Sequence, residues 1–142
     1  MRLLDLNLLL YALDESSPLH HEARPWLEQT LSGSATVAFD WSVLLGFVRL
    51  STRAAVFVSP LEVDEALGIV QGWLDQPPVT VIHPTERHAV VLRELLAPLG
   101  TGGNLTSDAH LAALAIEHGA ELCSTDADFS RFPGLRWVHP FR

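Results

Sequence analysis

Short apolar runs bounded by turn residues alternate with longer stretches of helical periodicity along the whole chain. This alternation constrains the fold more than any other feature, because parallel strands need crossover connections and end up buried on both faces. The runs at residues 2–5, 35–39, 79–82, 121–124 and 135–139 read as strands. Between them, helices are expected over residues 7–13, 18–31, 41–50, 59–74, 85–99 and 106–118. Ser59-Pro60-Leu61-Glu62 reads as a capping box with Ser59 as N-cap. Thr106 or Ser107 is expected to cap the last long helix, which stops at His118-Gly119. The expected fold is therefore an α/β sandwich with a central, mostly parallel sheet of four to five strands flanked by helices. With no repeat, linker or low-complexity tract, residues 1–142 form one domain.

Composition removes several classes of function. One cysteine excludes a disulfide framework and a Cys-based zinc site. No window approaches the roughly 20 apolar residues of a membrane span, and the first residues carry no cleavable signal pattern, so a cytoplasmic protein with no membrane partner is expected. Nine basic residues against seventeen acidic ones give a net charge of −8. Taken alone this disfavours broad attraction to nucleic acid, yet a nuclease that collects carboxylates to hold metal ions becomes acidic through its own site. All nine basic residues are Arg, so mechanisms that require lysine are excluded.

The placement of the aspartates carries the chemistry. In open α/β sheets, ligands bind beyond the carboxyl ends of the strands where the strand order reverses. Asp5, Asp126 and Asp128 lie at such ends, and Asp108 opens a helix that can face the same crevice. Each of these residues alone is an ordinary cap or turn residue; their coincidence is what suggests a site. Carboxylates held this close repel one another unless a cation neutralises them, and hard oxygen ligands select Mg²⁺, with Mn²⁺ able to substitute. The histidines show no HExxH or zinc spacing and are not expected to be ligands; His118 reads as a helix C-terminal charge.

These residues also carry a family pattern. The stretch Leu4-Asp5-Leu6-Asn7-Leu8-Leu9-Leu10-Tyr11-Ala12 resembles the opening of PIN-domain ribonucleases. The block from Asn104 through Thr106-Ser107-Asp108-Ala109-His110 to Ala115 resembles the VapC toxins of bacterial type II toxin–antitoxin modules. So do His118-Gly119, Ser124-Thr125-Asp126-Ala127-Asp128-Phe129 and the run from Phe132 to Trp137. The resemblance implies a PIN-like α/β/α sandwich in which Asp5, Asp108 and Asp126 are the core metal ligands and catalytic residues. Asp128 would be an outer or second-metal ligand, and Asn7 and Thr125 would orient the set by hydrogen bonds. The implied activity is Mg²⁺-dependent hydrolysis of structured RNA, a tRNA or rRNA loop, by a homodimer that a VapB-like antitoxin inhibits. Arg49 and Arg53 would contact RNA phosphates or an antitoxin carboxylate.

One position departs from that pattern. PIN domains usually carry a Glu on the helix after the second strand, a few residues before an Arg, and Gly46-Phe47-Val48-Arg49 stands there. Asp40 lies six residues upstream, turned about 120° and shifted about 9 Å along a helix, which makes it a poor replacement. Weaker metal affinity or a one-metal mechanism is expected, with a catalytically weakened or inactive PIN-like binding protein as the alternative. A haloacid-dehalogenase-like phosphatase or a receiver domain is disfavoured by the absence of lysine, and a dinucleotide-binding fold by the absence of G-x-G-x-x-G. The helix at residues 41–50 and the Trp73-bearing helix are expected to offer surplus apolar surface for homodimerisation and antitoxin docking.

Overall fold

Five strands and six α-helices alternate in the structure, a computed structural model that describes residues 1–142. The strands are β1 (Arg2–Leu4), β2 (Val37–Phe39), β3 (Val79–Val81), β4 (Glu121–Cys123) and β5 (Trp137–Val138). The helices are α1 (Leu6–Leu13), α2 (His20–Ser32), α3 (Trp41–Ser51), α4 (Val63–Leu74), α5 (His88–Leu96) and α6 (Thr106–His118). All four strand pairings are parallel, in the order β3-β2-β1-β4-β5. The chain moves one way from β1 to β3 and the other way from β4 to β5, so β1 and β4 flank the point where the order reverses. Right-handed crossovers then place α1–α4 on one face of the sheet and α5 and α6 on the other. In agreement, α1 packs on α2 and α3, α3 on α4, and α5 on α6.

The core follows from the strands' continuous apolar runs. Leu3, Leu4, Val37, Ala38, Phe39 and Leu122 are fully buried, as expected of strands covered on both faces. The small residues of α6 from Ala112 to Ala115, with Leu114 among them, are also fully buried and let that helix lie close to the sheet.

Several local expectations shift. Helix α4 begins at Val63 with Glu62 as N-cap, and Glu65 Oε1 accepts the Glu62 N–H at 3.2 Å. The capping box therefore sits one turn later than Ser59-Pro60-Leu61-Glu62 suggests. Leu61 N donates to Ser51 O at 2.9 Å and anchors the preceding segment to the end of α3. Neither Thr106 nor Ser107 caps α6: a 3₁₀ turn at Gly103–Leu105 runs directly into the helix, and its N-cap Leu105 makes no side-chain bond. Helix α5 starts at His88 rather than Thr85, whose hydroxyl instead accepts the Arg87 N–H. The surplus apolar surface expected of α4 comes from Val63 and Leu67, not from Trp73 itself. Trp73 is 8% exposed, with its ring centroid 4.7 Å from that of Phe47 and stacked on Phe39. The exposed apolar side chains on this face are Trp41 and Leu45 of α3 and Val63 and Leu67 of α4.

Candidate metal centre

Each carboxylate is placed by the element that ends or begins at it. Strand β1 ends at Leu4, and Asp5 turns the chain into α1 as its N-cap, accepting Leu6 N–H at 2.7 Å. Its backbone N–H still donates to Cys123 O across the sheet at 3.0 Å, which brings the ends of β1 and β4 together. Directly after β4, Asp126 caps a 3₁₀ turn at Ala127–Arg131 and accepts the Asp128 N–H at 2.9 Å. Asp108 stands in the first turn of α6.

Ser124, which sequence reasoning passed over, ties these pieces together. It is fully buried, and its hydroxyl donates to Asp5 Oδ2 at 2.6 Å. The same oxygen accepts from Asp126 N at 3.0 Å and from Asn7 Nδ2 at 3.4 Å, so one proton and two lone pairs are all used. Its single proton goes to Asp5, which requires Asn7 to face it with the amide nitrogen. Thr125, expected to orient the ligands, makes no such bond; the side chain that does so is one residue earlier, at the buried end of the strand. A small hydroxyl residue closing a strand immediately before Thr-Asp was the available signal.

Oxygens of Asp108, Asp126 and Asp128 lie within 4.8 Å of one another. Asp5 stands beside this group, held by Ser124. Burial pushes the Asp5 carboxyl above its ordinary range, the Ser124 and Leu6 hydrogen bonds oppose this, and the Asp126 charge adds to it. Burial and then the charges of Asp126, Asp5 and Asp128 push Asp108 up to about 6. The donor set fits a hard divalent cation, which relieves that repulsion. Asn7 Oδ1 is consistent with the same reading: it is a buried acceptor without a partner, which a water on a bound cation would satisfy. No histidine belongs to the cluster.

The surroundings account for the departure at position 46. An ideal Cβ on Gly46 would lie 2.7 Å from Leu6 Cδ2, so the tip of the Leu6 side chain fills the space beside Gly46 and would have to rotate aside for a longer residue. Asp40 is committed elsewhere: it caps α3, holds the backbone and hydroxyl of Ser42, and meets His110 Nε2 at 3.1 Å. His110 Nδ1 faces His88 Nε2 at 2.9 Å, and His88 Nδ1 faces Glu117 Oε2 at 2.5 Å. Burial raises Asp40 and Glu117, but their hydrogen bonds outweigh it and hold both below the ordinary range. The Asp40 bond raises His110. His118 donates to or accepts at no carboxylate; its Nε2 lies 2.7 Å from the His83 carbonyl.

The cations lie further out. Arg49 and Arg53 are exposed at the end of α3 and form no ion pair. Arg131, also passed over by sequence reasoning, places Nε 3.5 Å from Asp128 Oδ1. Away from the acidic cluster, α1, α2 and α4 border a groove of about 300 Å³ whose floor is mostly apolar, with Leu27, Leu31, Ile69 and Trp73, and whose lining includes the charged Glu15, Arg24 and Glu28.

Comparison with known proteins converges on one group. The PIN-domain family matches residues 2–135. The chain is 46% identical over 140 residues to Ribonuclease VapC37 of Mycobacterium tuberculosis, covering 99% of this chain and 97% of that protein. It is 41% identical over 138 residues to Ribonuclease VapC33 of the same species, covering 97% and 96%. Among solved structures, VapBC2 from Rickettsia felis, bound to a DNA fragment from its promoter, superposes with a TM-score of 0.71 at 20% identity, covering 96% of each chain. Mycobacterium tuberculosis VapC20, described as a sarcin–ricin loop cleaving toxin, superposes with a TM-score of 0.64 at 18% identity, covering 96% of this chain and 99% of that one.

Proposed function

The chain belongs to the VapC branch of the PIN-domain family, and from that premise we propose that it is a Mg²⁺-dependent endoribonuclease toxin restrained by a VapB-like antitoxin. The observation that carries the reading is the convergence of Asp108, Asp126 and Asp128 beside the Ser124-tied Asp5, at the point where the strand order reverses. Mg²⁺ bound there, for which Mn²⁺ would substitute, would supply the chemistry of an activated water and of charge stabilisation at the leaving oxygen of a phosphodiester. Asp108, Asp126 and Asp128 would hold it, with Asp5 completing the set. Ser124 and Asn7 orient Asp5, and Arg131 stands where a backbone phosphate approaching the cluster is met by a guanidinium. Arg49 and Arg53 remain candidates for RNA or antitoxin contact further along α3.

The substrate class is structured RNA, a tRNA or rRNA loop. The antitoxin segment fits the groove between α1, α2 and α4, and the exposed Trp41, Leu45, Val63 and Leu67 suit a homodimer contact. The protein acts as one domain in the cytoplasm. A second reading, a weakened or inactive PIN-like binding protein, is favoured by one observation, the occupation of the Gly46 neighbourhood by Leu6.

Cleavage of total cellular RNA by purified protein separates the two. The expected result is discrete cuts with Mg²⁺ or Mn²⁺, lost with EDTA and in Asp5→Ala, with the new ends identified by sequencing. Absence of cutting by a folded, metal-loaded chain establishes the binding-protein reading instead.

A further inference from the structure

Asp108 is the least supported member of the carboxylate cluster. Asp5, Asp126 and Asp128 each engage a hydrogen-bond or ion-pair partner, whereas the Asp108 carboxylate has no such partner and faces three like charges. Those charges push it outward. The helix that carries it follows a loop in which Gly100 and Gly103 take positive φ, and its N-cap makes no side-chain bond. Buried Ala109 and Leu111 pack this end of α6 into the core, and a chain of polar contacts reaches it from the other side.

On a helix, residues two apart leave about 200° from one another, so His110 departs from the opposite side of the turn that carries Asp108. His110 Nε2 reaches the nearly buried Asp40 at 3.1 Å, at the junction of β2 and α3. His110 Nδ1 meets His88 Nε2 at 2.9 Å, and His88 Nδ1 meets Glu117 Oε2 at 2.5 Å. Glu117 lies in the last turn of α6, and its other oxygen accepts Thr85 N–H at 2.9 Å and the Thr85 hydroxyl at 2.5 Å. The chain of contacts thus starts from Asp40 at the sheet's carboxyl edge, meets α6 at His110 in its first half and at Glu117 in its last turn, and between these two points fastens the helix to α5 through His88.

We propose that the Asp40–His110–His88–Glu117 chain is a brace that holds Asp108 within the carboxylate cluster, which makes Asp40, His110 and His88 positioning residues for the metal centre. The purpose assigned to the brace rests on the metal-centre reading; its mechanical role does not. Because Gly46 contributes no ligand, α3 is coupled to α6 through Asp40 and His110 instead of through a shared cation.

Amide hydrogen exchange at residues 106–112 in EDTA tests this in the full chain. His110→Ala and His88→Ala are compared with wild type, each with and without Asp126→Asn, and Mn²⁺ binding is followed by calorimetry. The expected result is exchange accelerated about tenfold or more by either brace variant, because local opening sets the rate. Asp126→Asn should return most of the protection, since the neutral amide no longer repels Asp108. Mn²⁺ affinity should fall about ten- to hundredfold in both brace variants. If His110→Ala unfolds, His88→Ala, which leaves the His110–Asp40 bond intact, carries the test. Unchanged exchange, or equal acceleration with and without Asp126→Asn, overturns the proposal. The expected exchange pattern in a chain that binds no Mn²⁺ supports the brace and refutes the metal-centre reading.

Discussion

Replacing Ser124 by alanine removes one hydroxyl and three interactions at once. The Asp5 carboxylate loses a 2.6 Å donor, and the N–H of Asp126 and the amide of Asn7 lose their acceptor, all around a fully buried side chain. A hydrogen bond to a charged group contributes about 1.5–3 kcal/mol, and a stranded buried N–H costs about 1–3 kcal/mol. The two effects overlap, so a loss of about 2–4 kcal/mol is expected for the metal-free chain at pH 7.5. With an unfolding entropy of about 2.1 cal/mol/K per residue, this corresponds to a melting point lowered by about 7–13 °C for 142 residues. The pH dependence identifies the cause. Asp5 already has a raised pKa, so its ionised form burdens the folded state above that pKa, and the burden is relieved as pH falls through it. Without the Ser124 donor the pKa rises further. The deficit of Ser124→Ala relative to wild type should therefore be largest at neutral pH and shrink toward pH 4. Thermal melts in EDTA across that range, with Ser124→Thr retaining the hydroxyl, provide the assay. An unchanged melting point, or a deficit equal at pH 4 and pH 8, refutes a charge-holding role and leaves only packing.

Three further outcomes follow from the same geometry. Gly46→Glu should gain less Mn²⁺ affinity than Gly46→Glu with Leu6→Ala, because its Cβ must displace the Leu6 side-chain tip; equal calorimetric affinities in the two variants contradict the steric account. Asp108, raised to about 6, should make Mn²⁺ binding weaken as pH falls through that value, while the metal-free chain becomes more stable over the same descent; Asp108→Asn should reduce both trends and leave the part that Asp5 contributes, as read by titration and melting at pH 5 to 8. Arg131→Ala should weaken binding of a fluorescein-labelled RNA hairpin and reduce the salt slope by about one, with Mn²⁺ affinity unaltered; an unchanged slope in anisotropy titrations excludes a phosphate contact.

The strands and helices were legible because their periodicities are local properties of the chain, and the parallel sheet followed from the crossovers that such an order demands. Cap positions were less so. Ser59-Pro60-Leu61-Glu62 satisfies the local rule as well as the true box at Glu62 and Glu65, and only the tie from Leu61 N to Ser51 O selects between them. Asp5, Asp108, Asp126 and Asp128 could be named because each stands at the end or start of an element, where an unsatisfied backbone favours a carboxylate.

What the sequence determined by itself is thus the kind of fold, the set of acids and the absence of one at position 46. The tertiary structure decided how they are held. Ser124 matters because β1 and β4 are neighbours although 117 residues separate Asn7 from Ser124, and the Leu6 side chain fills the space beside Gly46 because α1 packs on α3. Asp40, His88, His110 and Glu117 form one chain only because α6 lies against α5 and reaches the end of β2. Periodicity and caps act over a few residues, whereas hydrogen-bond chains between elements exist only once loop closure has brought distant segments together.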